Sequence, residues 1–376
     1  MSFRIVAMRD SLSLGEKLRS IRWSFVLLLG VVAGVGIMSL YSAAGGSMDP
    51  WAGAHLMRFG LGLTVMLVAA MIDIRIWMQF AYVLYGIVIA MLVYVDISGH
   101  IGMGAQRWIN LGFIAVQPSE LMKIAIVLAL ARFFHGATVD EVRNPLFLIR
   151  PLLLVAAPVA LVAVQPDLGT ATKLLLAAGA MFWLAGVSYW MLAVVGGAAL
   201  AAMPVLWTLM HDYQKKRVLT FLDPESDPLG AGYHITQSKI AIGSGGITGK
   251  GYLKGTQSSL DFLPEKQTDF IFTLFTEEWG LMGGLFLIGL FASVIIYGYV
   301  MAYANQSQFG RLLSLGIIFN FSMYAIINMG MVMGLLPVVG IPLPMISHGG
   351  TAMLALMAGF GLLMSAYVHR DVRFSR

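Results

Sequence analysis

The chain has 376 residues, 59% hydrophobic and only 11% charged, where a soluble domain carries about a quarter charged side chains. This composition excludes a large soluble domain and implies a series of membrane-crossing helices, each consuming roughly 20 residues. The net charge of +5 sits mostly in the connections between apolar runs, which speaks for membrane orientation and not for a nucleic-acid partner. Zero cysteines rule out disulfides, thiolate metal sites and a cysteine nucleophile.

The first element is a basic stretch carrying Arg4, Arg9, Lys17, Arg19 and Arg22, followed by an apolar run from Trp23 to Tyr41. That run reads as a retained first helix, because further spans follow directly and no small-residue cleavage site precedes a soluble domain. Apolar length places further spans at about 55–72, 76–97, 117–134, 146–164, 168–186, 188–209, 270–300, 311–335 and 346–368, ten in all. The predicted fold is therefore an all-α polytopic membrane protein, a single domain over 1–376. The N-terminal basic group, Arg75, the Arg132/Arg143/Arg150 connection, Arg311 and the Arg370/Arg373/Arg376 tail then share one side. By the positive-inside tendency that side is cytoplasmic, so segments 1–22 and 369–376 lie inside and the long connection 211–268 outside.

Intramembrane charges cost a few kcal/mol unless they face protein or water. Arg58, Lys123 and Lys173 all lie near the outward ends of their spans, the last two just after Gln117-Pro118-Ser119-Glu120 and Gln165-Pro166-Asp167. Three cations at similar depth fit one outward anion site. Any one alone equally fits snorkelling to headgroups, or for Lys123 a local pair with Glu120 at i,i+3, but three at one depth favour a shared outward cavity. Proline in a first helical turn and an acid beside it are explained by helix termini alone, which accounts for Pro118, Pro166 and much of Asp167.

The long connection holds Gly243-Ser244-Gly245-Gly246-Ile247-Thr248-Gly249-Lys250-Gly251. It is no phosphate loop, since Gly251 stands where Ser or Thr must follow the lysine and no buried strand precedes it. A flexible or re-entrant segment over the outer face is expected instead. Asp223-Pro224-Glu225-Ser226-Asp227 is acidic, but the prolines at 224 and 228 mark turns more than a metal cage. Beyond the connection, Asp269, Thr273, Thr276 and Glu277 fall on one helical stripe, which should face protein or a water-filled cavity. Thr268 or Asp269 as a simple helix cap fits the same letters. Further along, Gly280, Gly283, Gly284 and Gly289 give this helix a small-residue face suited to another helix, within the chain or from a partner.

The stretches Tyr233-His234-Ile235-Thr236-Gln237-Ser238, Gly243-Ser244-Gly245-Gly246, Gly255-Thr256-Gln257 and Phe262-Leu263-Pro264-Glu265 to Thr268-Asp269-Phe270-Ile271-Phe272 closely resemble the SEDS family of RodA, FtsW and SpoVE. Asn328, Gly334, Leu335, Pro337, Gly340, Ile341, Ser347, Gly349, Gly350, Thr351 and Ala352 keep the spacing of its C-terminal signature. His348 departs from that pattern, which has Tyr, Ser or Ala there. The Gly255-Thr256-Gln257 stretch is similar to the elongation branch of the family.

The resemblance implies a peptidoglycan glycosyltransferase of the cell inner (cytoplasmic) membrane. Such an enzyme polymerises lipid II, extends a lipid-linked glycan and works beside a class B penicillin-binding protein in the elongation complex. It also implies that Asp269 matches an essential outward-loop aspartate, that Glu120 and Lys123 match a polar pair in a central cavity, and that Arg58 matches a cavity arginine. The expected chemistry has Asp269 take the proton of an acceptor sugar hydroxyl. Lys123, Arg58 and Lys173 stabilise the departing pyrophosphate, and Glu120 orients Lys123. One carboxylate without a partner nucleophile favours inversion by single displacement. No cofactor is evident, and a divalent cation has no ligand motif. A flippase would instead show inverted repeats and charges at mid-depth; a scaffold would use the loop for docking.

Overall fold

The structure, a computed structural model, describes residues 12–372 apart from 103–104, 111, 113–114, 166, 211, 224–229, 261 and 264. Arg4, Arg9, Arg373, Arg376, Pro166 and the 224–227 part of the acidic run therefore lie outside the described residues. Helix α1 (Leu14–Ser20) opens on a capping box between Ser13 and Glu16 and leads into α2 (Trp23–Ala43), α3 (Ala52–Met71) and α4 (Ile74–Ser98). A small antiparallel ribbon follows, β1 (His100–Gly102), β2 (Ala105–Asn110) and β3 (Ala115–Val116), in the order β1-β2-β3. Next come α5 (Pro118–His135), the short α6 (Val139–Val142), α7 (Pro145–Val164), α8 (Leu168–Leu184) and α9 (Tyr189–Leu209). Three further helices, α10 (Asp212–Leu222), α11 (Ala231–Ser244) and α12 (Thr256–Ser259), precede α13 (Ile271–Tyr303), α14 (Gln308–Val332) and α15 (Gly350–Val368).

Seven of these, α2, α3, α4, α7, α13, α14 and α15, are long and apolar enough to cross a bilayer, with shorter apolar stretches at Gly169–Leu184 and Tyr189–Val205. Helices α5, α14 and α15 are buried on almost every side and form the centre. Around them α3, α4, α7 and the later part of α13 bury one stripe and turn Leu, Val and Ile outward, as lipid-facing helices do when only packing holds them together. Small residues set the closest approach. A Cβ on Gly361 would lie 2.6 Å from Ala69 Cβ, and one on Gly62 would lie 2.8 Å from Met357 Cγ, so α3 and α15 pack nearly backbone to backbone.

The basic ends gather at one end of the bundle. Lys17 Nζ donates to the Met71 carbonyl at 2.7 Å, Ser365 Oγ to Ile72 at 2.7 Å, and the Gln306 N–H to Arg370 at 3.0 Å. The acid and lysine residues singled out from sequence lie at the opposite end, with the helix openings of α5 and α8.

Between α9 and α13 the structure differs from a flexible cover. The glycine run is built into a break in α13, where Gly280 adopts φ 66° and ψ −163°. That conformation interrupts the helical ladder, and the loop backbone satisfies the freed groups. The N–H of Lys250 donates to Glu277 O at 3.1 Å and that of Gly251 to Glu278 O at 2.9 Å. In return, Leu281 donates to Gly246 O at 2.9 Å and Met282 to Ile247 O at 3.1 Å. A Cβ on Gly249 would meet Glu278 O at 2.0 Å, so only glycine permits the seam. The small-residue face of α13 is likewise used internally: a Cβ on Gly283 would meet Trp279 Cβ at 2.2 Å and one on Gly284 Thr276 Cγ2 at 3.1 Å, while Gly289 faces open space.

Candidate active site

Proline at N1 starts α5, and Glu120 occupies the acidic position of its first turn. One turn on, Lys123 Nζ reaches Glu120 Oε1 at 2.6 Å, with the lysine 1% exposed. Glu120 Oε2 accepts the Tyr324 hydroxyl at 2.8 Å. The face of the Tyr324 ring receives Lys123 Nζ at 4.4 Å and Lys173 Nζ at 4.7 Å from its centroid, both within cation–π range. Two buried ammonium groups thus sit against Glu120, and the Asp167 carboxylate acts on Lys123 as well. Glu120, Lys123 and Tyr324 line a small cavity of about 30 Å³, together with Asn320, Ser347 and Gly349.

Asp167 caps α8 by accepting the Thr170 N–H at 3.1 Å. Arg107, from the ribbon, sits 3.8 Å from its carboxylate and donates to the Gln165 carbonyl at 3.2 Å. The sequence places no element between 97 and 117, so Arg107 is an addition from the fold.

The connection from α14 to α15 separates this cavity from the other two sequence candidates. On one side, Arg58 Nη1 lies 3.1 Å from one ring nitrogen of His348 and 3.3 Å from the other. The imidazole also bonds the Trp51 carbonyl, and burial followed by the Arg58 charge holds it below its usual pKa. A neutral ring fits both contacts, donating to Trp51 and accepting from Arg58. Nearby, His55 is fully buried with Nε2 3.0 Å from the Met345 carbonyl.

On the other side, the connection clamps the turn that holds Asp269. Asn328 Nδ2 donates to Asp269 O at 2.9 Å and to Ile341 O at 2.6 Å. Ser347 Oγ donates to Thr268 O at 2.5 Å, and the His348 N–H donates to Gln267 O at 2.8 Å. Asp269 Oδ2 lies 3.5 Å from where a Cβ on Gly340 would stand, a residue with φ +74°. Asn328, Gly340, Ile341 and Ser347 of the C-terminal signature therefore position the aspartate turn.

Helix α13 begins after Phe270, whose side chain makes no cap bond, and Thr268 Oγ1 bonds Glu265 instead, at 3.2 Å to its carbonyl and 3.0 Å to Oε2. The rest of the expected polar stripe turns toward protein. Thr273 Oγ1 and Ser238 Oγ are 2.7 Å apart, and Glu277 accepts Lys250 Nζ at 2.7 Å. Tyr324, like Arg107, is a site residue that sequence reasoning missed. A signal existed, since Asn320, Tyr324 and Asn328 recur every four residues on an otherwise apolar helix. Among the described residues no three His, Asp or Glu side chains converge as a metal cage requires.

A family model described as "Cell cycle protein", covering FtsW, RodA and SpoVE, matches residues 18–372. The chain belongs to this family. Among curated members, peptidoglycan glycosyltransferase MrdB of Escherichia coli K12 is 46% identical over 93% of this chain and 94% of its own length. Probable peptidoglycan glycosyltransferase FtsW of Trichlorobacter lovleyi is 35% identical over 94% and 95%. The FtsW/RodA/SpoVE fold is shared with solved structures. A chain described under "Structural coordination of polymerization and crosslinking by a peptidoglycan synthase complex" superposes with a TM-score of 0.81 at 30% identity, covering 93% of this chain and 98% of that one. Rod shape determining protein RodA of Thermus thermophilus gives 0.70 at 27% identity, covering 94% and 98%. The chain is accordingly a multi-pass membrane protein.

Proposed function

We propose that this chain is a peptidoglycan glycosyltransferase that polymerises lipid II at the outer face of the cell inner membrane. In this reading α5, α8 and α9 also cross the bilayer, giving ten spans with the Asp269 end outside. The polymerase works with a class B penicillin-binding protein during elongation. The observation that carries the chemistry is the buried cluster of Lys123 and Lys173 with Glu120 around Tyr324.

Glycan extension must deprotonate an acceptor hydroxyl and stabilise a departing lipid pyrophosphate. Asp269 takes the proton of the acceptor GlcNAc 4-hydroxyl as it attacks the anomeric carbon of the donor. Lys123 and Lys173 offset the charge that develops on the pyrophosphate, where low dielectric strengthens them. Arg58, held against His348, acts on the same group from across the α14–α15 connection. With one base and no nucleophile the step is a single displacement with inversion. A broken helix is also a mark of transporters, but the groups freed at Gly280 are bonded by loop backbone and offer no cargo site.

The test is purified protein with labelled lipid II. Glycan polymer forms without a second polymerase, and Asp269→Asn lowers its rate by about 10²–10⁴ while lipid II binding and monodispersity persist. Normal polymerisation by Asp269→Asn refutes the base assignment.

A further inference from the structure

The connection from α14 to α15 reaches two of the groups assigned to the reaction through neighbouring residues. Toward Asp269 it holds backbone: Ser347 Oγ donates to Thr268 O at 2.5 Å and the His348 N–H to Gln267 O at 2.8 Å. Toward Arg58 it offers the His348 ring, whose Nε2 lies 3.1 Å from Nη1, and the backbone of Gly350, where a Cβ would stand 3.6 Å from Arg58 Nε. His348 therefore binds the aspartate turn with its main chain and the arginine with its side chain. A shift at one contact is carried to the other within a single residue.

The ring can do this in one protonation state only. A guanidinium has five donors and no acceptor, so it needs a lone pair from its partner, and a neutral imidazole has one N–H and one lone pair. The N–H goes to the Trp51 carbonyl and the lone pair is left for Arg58. Among the described residues the hydrogen-bond contacts of the guanidinium are with this ring, and its other N–H groups stay available to an anion. Protonation would make both ring nitrogens donors and set a second cation against Arg58, which breaks the contact. The titratable groups beside the ring are Arg58 and His55, both from α3, while the turn that carries Asp269 meets His348 through the Gln267 carbonyl. Burial and the Arg58 charge hold the imidazole below its ordinary pKa, so the acceptor state prevails at neutral pH.

We propose that His348 is a positioning residue of glycosyl transfer, its neutral ring fixing the Arg58 guanidinium relative to the Asp269 turn so that acceptor and departing pyrophosphate are engaged in one geometry. The assignment rests on the glycosyltransferase reading and adds to it the residue that couples these two groups.

The test follows polymerisation of labelled lipid II by the purified protein from about pH 7.5 down to 5.5, the range in which imidazoles titrate. His348→Leu removes the acceptor and lowers kcat by about 10–100-fold at neutral pH, the scale of a misplaced group, while KM for lipid II changes far less. His348→Gln keeps an acceptor that does not titrate. It recovers most of that loss and abolishes the fall in kcat that the wild type shows below about pH 6.5. Arg58→Gln and the double variant Arg58→Gln/His348→Leu are equally slow, because the histidine acts through the arginine. Losses that multiply in the double variant overturn the proposal, and so does an acidic fall in kcat that His348→Gln retains. If His348→Leu is not monodisperse, His348→Ser takes its place. Apart from turnover, imidazole NMR of the detergent-purified protein, with the His348 signal assigned by its absence in His348→Gln, should show the His348 pKa rising in Arg58→Gln. An unchanged pKa removes the contact and with it the proposal. A rise in pKa with no polymer from the wild type leaves the Arg58–His348 contact standing and refutes the polymerase reading.

Discussion

Lys123 and Glu120 illustrate why a buried ion pair is better judged by its removal than by its presence. Breaking such a pair on one side costs about 3–5 kcal/mol, whereas replacing both members by neutral groups is often tolerated. Lys123→Ala removes the direct ion pair of Glu120 and leaves it the Tyr324 hydroxyl and the more distant charge of Lys173, so thermal stability and lipid II turnover should fall together. The double variant Glu120→Gln/Lys123→Met should recover most of the stability and none of the activity, and a melting series on all three checks this. His348 gives a second prediction with a definite sign. Its folded pKa is held below the ordinary 6.5 by burial and then by Arg58, so on acidification the unfolded chain takes up the proton first. Stability from this group is complete above about 6.5 and declines below it until the folded imidazole titrates. The melting temperature should therefore drop between pH 7.5 and 5.5, and His348→Ser should flatten that part of the slope. The pairing of His348 with Arg58 spans 290 positions, and that of Tyr324 with Glu120 spans 204. Neither leaves a local sequence signal, whereas Glu120 with Lys123 at i,i+3 was legible because one helix supplies both.

Among the elements, α5 was legible from its Gln-Pro opening even though its charges weaken the apolar signal. The ribbon 100–116 was not, because strands of two to six residues are too short to show a period. Helix α13 was legible as a span and illegible as a broken one. A helix interior tolerates glycine without needing it, so the spacing of Gly280, Gly283 and Gly284 does not say which one leaves helical φ/ψ. Gly280→Ala places a Cβ about where the Gly249 nitrogen lies, 2.3 Å away, on a backbone at φ 66°. Loss of monodisperse protein is the expected result, read by size-exclusion chromatography. Gly289→Leu meets nothing within 4 Å and should fold normally. This makes Gly289 the informative position for a partner helix: weakened co-purification of the penicillin-binding protein with Gly289→Leu would place that contact on α13, and unchanged association would move it elsewhere.

For the molecule as a whole, apolar run length located each of the seven helices long and apolar enough to cross a bilayer, while the segregation of charge forecast which helix ends meet. The proposed orientation has a direct test. Reporters fused after Arg376 and inserted within 223–228 should report opposite compartments, and finding them on one side would remove Asp269 from an outer-face substrate. The signature residues of α14 and the α14–α15 connection were recognisable as a pattern, but their task, holding the 267–269 turn by Asn328 and Ser347, became visible only in three dimensions.

The seam between the glycine run and α13 also constrains chain length. Its four backbone bonds join 250 to 277, 251 to 278, 281 to 246 and 282 to 247, so partners are assigned by counting residues and not by side-chain chemistry. One inserted residue between 247 and 250 would shift half of the assignments and leave the other half in place, and it would bring a Cβ to a position that admits only hydrogen. Stretch 245–251 therefore has a fixed length, whereas 253 and 257 are held by the flexible carboxylates of Glu278 and Glu277, which follow a shifted backbone more easily than a carbonyl does.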